Sequence, residues 1–450
     1  MHRTDSSAPP ELRRELGRWD LTAIGVNQVI GGGIFALAAG LTAATGSWAP
    51  WMIGAVAIAT MLTALSFAEA ASRFEGTGGP YLYTRAAFGR FTAFEVGWMM
   101  WFTRAASWAS VINVLVDALS RYWPVFLGTA ARSLLMAGII ALIALINIRG
   151  IRQSSMVVNV MTVAKLLPLI IFILIGVAYV DWTVFSAPAT VTTEQLTTGA
   201  LLLIFAFGGY EVVPVLGGET KDPRRMVPFA LIMTIVIVAS VTLLTQVVAF
   251  GTFPGIADSR TPLADSAALF MGAAGAAMIT IGAVVSTSGN NMGQALSGSR
   301  NLFALAEQGD LPRWFGYVHP KYRTPSNAIL VTSGVAFVLA VTGSFVTMAA
   351  ASAVSRLVVY VLSCASTIRL RGERFQGQLP PSATGGVPVK PALFVLPGGP
   401  TIAVIAILSS LLILVGANQT QLISGTVALV VGAVLYLIAT RGAAAARETR

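Results

Sequence analysis

The sequence predicts an all-α integral membrane protein with about 12 transmembrane helices, since each helix needs about 20 mostly apolar residues to span a bilayer. Hydrophobic residues make up 55% of the 450 residues and charged residues only 11%, whereas an average soluble domain has roughly 25% charged residues. The mean hydropathy is +0.76, which leaves too little polar surface to cover soluble domains. The 44 glycines and 21 prolines indicate interrupted helices, which a membrane protein tolerates when neighbouring groups satisfy the freed backbone.

Apolar windows separated by charged or Pro/Gly-rich breaks give the predicted helices in order. They lie at residues 20–41, 48–72, 91–119, 132–148, 155–180, 196–218, 228–251, 276–307, 326–344, 346–368, 393–416 and 422–440. Residues 258–272 predict an additional short amphipathic helix.

The predicted helices group into larger units. The first five occupy residues 20–180 and the next five occupy residues 196–368, as two comparable sets. The remaining segments are an N-terminal tail at 1–19, a linker at 369–392, two further helices at 393–440 and a C-terminal tail at 441–450. The linker is rich in proline, glycine and charge, so we expect a flexible connection.

The distribution of basic residues predicts the orientation. When both tails, the linker and alternate loops are assigned to one side, that side receives nearly all of the loop lysines and arginines. The opposite side receives Arg121, Arg132 and Arg260. Because Lys and Arg collect in cytoplasmic loops, we expect both termini and the linker to be cytoplasmic. Orientation also explains the net charge of +10, so no nucleic-acid partner is expected.

The residues that bind metals or catalyse reactions are scarce. The chain has two histidines, His2 and His319, and one cysteine, Cys364. This inventory argues against a disulfide framework and a metal centre, and it offers little from which to build a nucleophile–base pair. We therefore expect no cofactor, no metal and no enzymatic activity. A channel is equally disfavoured, because the helices lack a continuous polar lining.

Two predicted helices carry glycine runs at corresponding positions, one at the start of each five-helix set. Glycine costs about 1 kcal/mol relative to alanine in a helix interior. Close helix packing is one explanation, but packing motifs space glycines at i and i+4. Unwinding fits better, because freed N–H groups bind a carboxylate and freed carbonyls bind an ammonium group. The substrate-binding residues predicted on this basis are Ile30, Gly31, Gly32, Gly33 and Ile34 in helix 1, and Phe205, Ala206, Phe207, Gly208, Gly209 and Tyr210 in helix 6.

These segments resemble a known family of transporters. Gly31-Gly32-Gly33-Ile34-Phe35 is similar to the Gly-x-Gly-Ile-Phe of helix 1 in the amino acid–polyamine–organocation (APC) superfamily of amino acid permeases. Further resemblances in family order lie at residues 78–83, 205–228, 299–312 and 322–328. The resemblance implies a LeuT-type fold, with a five-plus-five inverted repeat and two peripheral helices. It also implies secondary active transport of amino acids or related amines by alternating access.

The sequence departs from the family pattern at two positions. Gly32 stands where serine or threonine is common, so a hydroxyl contact to the substrate is missing. Tyr210 stands where a small or aliphatic residue is common, so the side-chain pocket is expected to be short. Both departures bear on the size of the substrate, for which we expect a small neutral amino acid.

Lys165 and Glu211 are the ionisable residues to which the resemblance gives a role. A helix-5 lysine in proton-coupled relatives occupies the place of a sodium ion, which implies that Lys165 couples transport to protons. The alternative is a lysine that snorkels along lipid. For Glu211 the resemblance implies a gate or a proton-responsive acid, and the alternative is a carboxylate that binds freed backbone N–H groups of helix 6.

Three more charges lie within predicted helices, and charge inside a membrane is expensive. Arg104, Arg300 and Arg356 therefore need partners. The sequence does not assign these partners, and the candidates are Glu69, Glu95, Asp117 and Glu307.

Together these features predict proton-coupled symport of a small neutral amino acid by a multi-pass protein of the plasma membrane, with lipid and H⁺ as the other partners. No obligatory protein partner is evident. Within transport, the alternatives are amino acid exchange and the carriage of cationic amino acids or polyamines. Outside transport, the alternative is an amino acid sensor.

Overall fold

The prediction of an all-helical protein is confirmed. The computed structural model describes residues 14, 16–76, 78–149, 155–185, 190–307, 309–322 and 324–448, and among these it contains no β-strand. The N-terminal tail is therefore described at residues 14 and 16–19, and the C-terminal tail at residues 441–448. The helices are α1 Arg18–Val29, α2 Gly33–Thr45, α3 Ala49–Ala71, α4 Pro80–Phe88, α5 Arg90–Ser120, α6 Thr129–Arg149, α7 Ser155–Gly176, α8 Thr193–Phe207, α9 Pro223–Thr252, α10 Pro262–Glu307, α11 Ser326–Thr342, α12 Phe345–Leu370, α13 Thr401–Val415 and α14 Gln419–Glu448.

Many of these helical segments are long and apolar enough to cross a membrane. Among the described residues, 8 segments meet that description by length and composition: Gly33–Ala71, Thr129–Arg149, Met161–Tyr179, Thr193–Glu219, Pro223–Thr252, Pro262–Ala306, Val346–Leu370 and Gln419–Ala439. Helices α11 and α13 are apolar but shorter. Helix α5 carries more polar residues and is buried over most of its 31 residues, so it lies inside the bundle.

The first predicted helix is interrupted in the structure. Helix α1 ends at Val29, and α2 begins at Gly33. Ile30 leaves the helical conformation with φ −75° and ψ 80°. Residues 30–32 therefore connect two half-helices whose facing backbone groups lack the usual intrahelical partners.

The sixth predicted helix is interrupted as well. Helix α8 ends at Phe207, and a 3-10 helix, Tyr210–Glu219, continues the segment. Gly209 has φ +132°, a backbone conformation that residues with a β-carbon rarely adopt. Pro214 inside the 3-10 helix has no N–H, which hinders a return to α-helical hydrogen bonding.

Helix α10 bends near its start. Gly272 has φ +65° and ψ −161° within the otherwise helical segment, and such values require glycine. The bend separates a first portion beginning at Pro262 from the long remainder. This first portion corresponds to most of the amphipathic helix predicted at residues 258–272.

The linker at residues 369–392 differs from the expected flexible connection, because it is tied to the bundle by hydrogen bonds. Leu379 and Val389 form an isolated antiparallel bridge. Lys390 Nζ lies 2.7 Å from Glu75 Oε1, and this hydrogen bond lowers the pKa of the Glu75 carboxyl group. Arg73 Nη1 donates to the Phe375 carbonyl at 2.9 Å. The partners that order the linker belong to other segments, so its own composition does not reveal them.

Glu69 forms the most buried of the contacts that organise this end of the bundle, here called the linker end. Its carboxylate is inaccessible to solvent and accepts from Arg371 Nε at 2.6 Å and Nη2 at 2.5 Å. It also accepts from the Leu396 N–H at 2.9 Å. The Glu69 carboxylate on α3 thus binds Arg371, which follows α12, and Leu396, which precedes α13.

Replacing this carboxylate tests its contribution to stability. We expect Glu69→Ala to lower the free energy of unfolding by about 3 kcal/mol, because it leaves Arg371 without its buried partner. The control is Glu75→Ala, whose partly exposed pair with Lys390 contributes about 0–1 kcal/mol. The measurement is the midpoint of thermal unfolding in detergent, and equal midpoints for the two variants would contradict the assignment.

Candidate functional site

The two helix breaks lie directly against each other. A β-carbon placed on Gly33 would lie 3.3 Å from Phe205 Cε1 and 3.8 Å from Ala206 Cα. A β-carbon on Gly209 would lie 2.8 Å from the backbone of Gln28. The absence of side chains at these glycines therefore permits close approach of α1, α2 and α8, and it brings the two glycine runs of the sequence together.

The helix-1 glycines face α5 and α10. A β-carbon on Gly31 would overlap the Asn290 side chain. One on Gly32 would lie 2.6 Å from Thr287 Cγ2 and 3.1 Å from Val111 Cγ1. The space that a side chain at position 32 would occupy is thus taken by Thr287 and Val111 in this structure.

The apolar residues of the two breaks belong to the interior of the bundle. Ile30, Ile34 and Phe207 are buried in the same hydrophobic cluster as Phe205. Tyr210 is also buried and faces Phe67 of α3 and Tyr360 of α12, with ring centroids 6.0 Å and 5.6 Å away. Its ring is therefore part of an aromatic cluster between α3 and α12.

Lys165 binds the open end of α1. Its Nζ donates to the carbonyls of Asn27 at 3.0 Å and Ile30 at 2.9 Å. These oxygens lie at the C-terminal end of a helix, where carbonyls lack intrahelical partners and the helix dipole favours a cation. The lysine is inaccessible to solvent, so in this structure it does not extend along the lipid surface.

Helix α10 supplies two more donors to the same end of α1. Ser286 Oγ donates to the Ile30 carbonyl at 3.2 Å, and Asn290 Nδ2 donates to the Gln28 carbonyl at 2.9 Å. Three freed carbonyls of helix 1 are thereby satisfied by side chains of α7 and α10. This arrangement meets the requirement that backbone groups inside a membrane find internal partners.

Glu211 lies at the second break and binds two arginines. Its Oε1 lies 3.2 Å from Arg104 Nη2 and 3.0 Å from Arg356 Nε, and all three side chains are at most 3% exposed. Its Oε2 accepts from the Gly209 N–H at 2.8 Å. The carboxylate therefore stabilises the unwound backbone and also neutralises buried positive charge.

None of the acids proposed from the sequence as partners of Arg104, Arg300 and Arg356 forms an ion pair with them among the described residues. Glu69 pairs with Arg371, and Asp117 pairs with Arg132. The carboxylate oxygens of Glu95 are buried without a hydrogen-bond partner among the described residues, and the Glu307 side chain lies outside them. Arg300 donates to the Leu296 carbonyl at 3.2 Å.

Sequence reasoning missed the pairing of Glu211 with Arg104 and Arg356. These partners are separated from it by 107 and 145 residues, so no local spacing reveals the contact. The available signal was that three intramembrane arginines lacked an assigned partner, while one acid, Glu211, lay beside a helix break.

A chain of side chains connects the two breaks along α10. Gln294 Nε2 donates to Asn290 Oδ1 at 3.3 Å, and Arg104 Nη1 donates to Gln294 Oε1 at 3.3 Å. Asn290 binds the helix-1 break, and Arg104 binds Glu211 at the helix-6 break. Side-chain hydrogen bonds along α10 therefore link the helix-1 break to Arg104 and Glu211 at the helix-6 break.

A cavity of about 370 Å³ opens at the linker end. It is lined by Phe74, Gly76, Gly78, Tyr81, Leu82, Arg85, Gly97, Met100, Val215, Arg300, Asn301, Ala304, Leu305 and residues 386–388 of the linker. The Arg85 Nε group donates to the Gly385 carbonyl at 2.7 Å, which fixes the linker over this cavity. We call this cavity the vestibule.

Comparison with known proteins establishes the family. Residues 16–440 match the family model for amino acid permeases, and the chain therefore belongs to the amino acid permease family. It is a multi-pass membrane transport protein and not an enzyme.

Three relatives from Bacillus subtilis show the range of named substrates. The chain is 29% identical to the branched-chain amino acid permease BcaP, over 97% of this chain and 95% of that protein. It is 29% identical to the methylthioribose transporter, over 73% and 75% of the two chains. It is 27% identical to the serine/threonine exchanger SteT, over 75% and 78%.

The packing around Gly32 generates a test of the helix-1 break. We expect Gly32→Leu to abolish uptake by the reconstituted protein, because its side chain would collide with Thr287 and Val111 and displace α2 from α5 and α10. The control is Gly138→Leu in α6, where a β-carbon meets nothing within 4 Å. Membrane insertion and expression of both variants are measured beside uptake. Retained uptake by a correctly inserted Gly32→Leu protein would show that this approach of the helices is dispensable.

Proposed function

We propose that this permease moves a small neutral amino acid across the plasma membrane by proton-coupled symport and alternating access. The observation that carries the proposal is the contact between two interrupted helices, with a buried lysine bound to the carbonyls of one of them. Relatives named as an amino acid permease and a serine/threonine exchanger support the substrate class.

The proposed architecture is a LeuT-type fold of 12 helices, as the family resemblance implies. The interrupted segments α1–α2 and α8 with its 3-10 extension would each begin one five-helix repeat. Helices α13 and α14 would be peripheral. The excess of Lys and Arg in the tails, the linker and alternate loops supports an orientation with both termini and the linker end in the cytoplasm.

Substrate recognition would take place at the backbone of the two breaks. The N-terminal end of α2 presents N–H groups and the positive end of a helix dipole, which suit an α-carboxylate. The unwound residues Gly208 and Gly209, together with the end of α8 at Ala206, would contribute the remaining polar contacts. The ring of Tyr210 faces α3 and α12 in this structure, so a limit on side-chain size would come from Phe205 and the close approach at Gly33.

A binding screen tests this mode of recognition. We expect L-alanine to bind the purified protein and ethylamine, its decarboxylated analogue, to bind at least about tenfold more weakly, since a charge-assisted hydrogen bond contributes about 1.5–3 kcal/mol. L-Lysine and putrescine are included to test the cationic alternative. The measurement is isothermal titration calorimetry, and equal binding of ethylamine would remove the carboxylate assignment.

Lys165 would couple this movement to protons. In the present conformation its amine is held by the carbonyls of Asn27 and Ile30. A displacement of α1 from α7 would remove these acceptors and change the environment of the amine. A difference in proton affinity between two conformations is what thermodynamic coupling requires. The ammonium group would occupy the cation position, so sodium would be unnecessary.

The coupling role is tested by uptake across pH, with and without sodium. We expect uptake by the wild-type protein to depend on pH and not on sodium, and Lys165→Ala to lose the pH dependence. The control is Lys221→Ala, which removes an exposed lysine. Sodium-dependent uptake by the wild type, or an unchanged pH profile in Lys165→Ala, would exclude this mechanism. Counterflow without a pH gradient would identify exchange, which the similarity to SteT keeps as the second candidate.

A further inference from the structure

The cluster formed by Arg104, Arg356 and Glu211, here called the arginine cluster, contains one more positive than negative charge. Two guanidinium groups meet one oxygen of one carboxylate. Since all three side chains are at most 3% exposed, water does not screen the excess charge. Such a charge inside a membrane protein is costly unless something compensates it.

The protein compensates this charge in part. Arg356 Nη1 lies 3.4 Å from the carbonyls of Ile204 and Phe205, at the C-terminal end of α8. The end of a helix dipole carries roughly half a negative charge. Among the described residues, the ion pairs formed by Arg104 and Arg356 are both with Glu211. The helix end therefore offsets about half of the excess charge, and the cluster keeps a net positive charge.

A crevice beside the arginine cluster carries an unused polar group. It is lined by Met100, Thr103, Arg104, Glu211, Arg356 and Val359. Thr103 Oγ1 is buried without a hydrogen-bond partner among the described residues. The hydrogen bonds of Arg104 to Gln294 and Glu211 use two of its five N–H donors. Two guanidinium groups and a hydroxyl thus border one small space.

We propose that this crevice is a binding site for one monovalent anion, held between Arg104, Arg356 and the hydroxyl of Thr103. The anion is either a free halide or the side-chain carboxylate of an acidic amino acid. The second source rests on the proposed transport activity, with an acidic amino acid in place of the neutral one. The crevice is narrower than a water molecule in this conformation. Met100 forms the wall that it shares with the vestibule, so movement of Met100 opens the path for the anion.

The test is an anion titration of the purified protein in detergent and sodium HEPES, whose sulfonate group is bulkier than a carboxylate or a chloride ion. The midpoint of thermal unfolding is followed with added sodium chloride, sodium L-aspartate or L-alanine. We expect a saturable rise with chloride or with aspartate, because a ligand that binds the folded state stabilises it. A response to chloride identifies a free halide, and a response to aspartate without one to chloride identifies the substrate carboxylate.

Variants separate the site from general salt effects. We expect Arg356→Gln to abolish the saturable response, and Thr103→Val to weaken apparent affinity about tenfold. Glu211→Gln raises the excess charge and should tighten anion binding. Arg132→Gln, which removes a partly exposed arginine paired with Asp117, should bind as the wild type does. Because Thr103→Val is nearly isosteric, it remains informative if an arginine variant fails to fold.

Two results would overturn the proposal. One is the absence of a saturable response of the wild type to either anion. The other is an unchanged affinity in Thr103→Val or an unchanged response in folded Arg356→Gln. The L-alanine titration reports the proposed zwitterion site independently. A protein that responds to chloride but to no neutral amino acid would retain the anion site and lose the proposed substrate.

Discussion

The requirement that every backbone polar group inside a membrane find an internal partner governs this structure. A continuous helix meets that requirement by itself, whereas each interruption exposes N–H and carbonyl groups. At the first break, Lys165, Ser286 and Asn290 satisfy the carbonyls of α1. At the second break, Glu211 accepts from Gly209. At both breaks, buried polar side chains thus supply the partners that the helix no longer provides.

These local solutions are joined through one face of α10. Asn290 contacts the first break, and Gln294 links it to Arg104, which binds Glu211 at the second break. Movement of the helix-1 backbone at the first break would therefore strain the hydrogen bonds of Asn290 and Gln294 that lead to the second break. If the two breaks had separate polar sites, the interrupted helices could move independently. In this protein the amide side chains of Asn290 and Gln294 connect them.

The sequence predicted those features that depend on local composition. Glycine runs predicted both breaks, since glycine weakens a helix and tolerates unusual backbone angles wherever it occurs. The family resemblance supplied the expectation that Lys165 occupies the place of a cation. The arginine cluster was not predictable, because its contacts span 107 and 145 residues. The order of the linker was also hidden, because Glu69, Glu75 and Arg85, which hold it, belong to distant segments.

The buried carboxylate of Glu69 has a mechanical consequence. It is shared between Arg371, just after α12, and Leu396, before α13, while Glu69 itself lies on α3. At the linker end, the Glu69 carboxylate consequently joins α3 to the segments next to α12 and α13. Independent tilting of any of these three helices would break these hydrogen bonds and leave the buried Glu69 carboxylate without its partners. We therefore expect the vestibule to widen by movement of its other walls, on α4, α5 and α10.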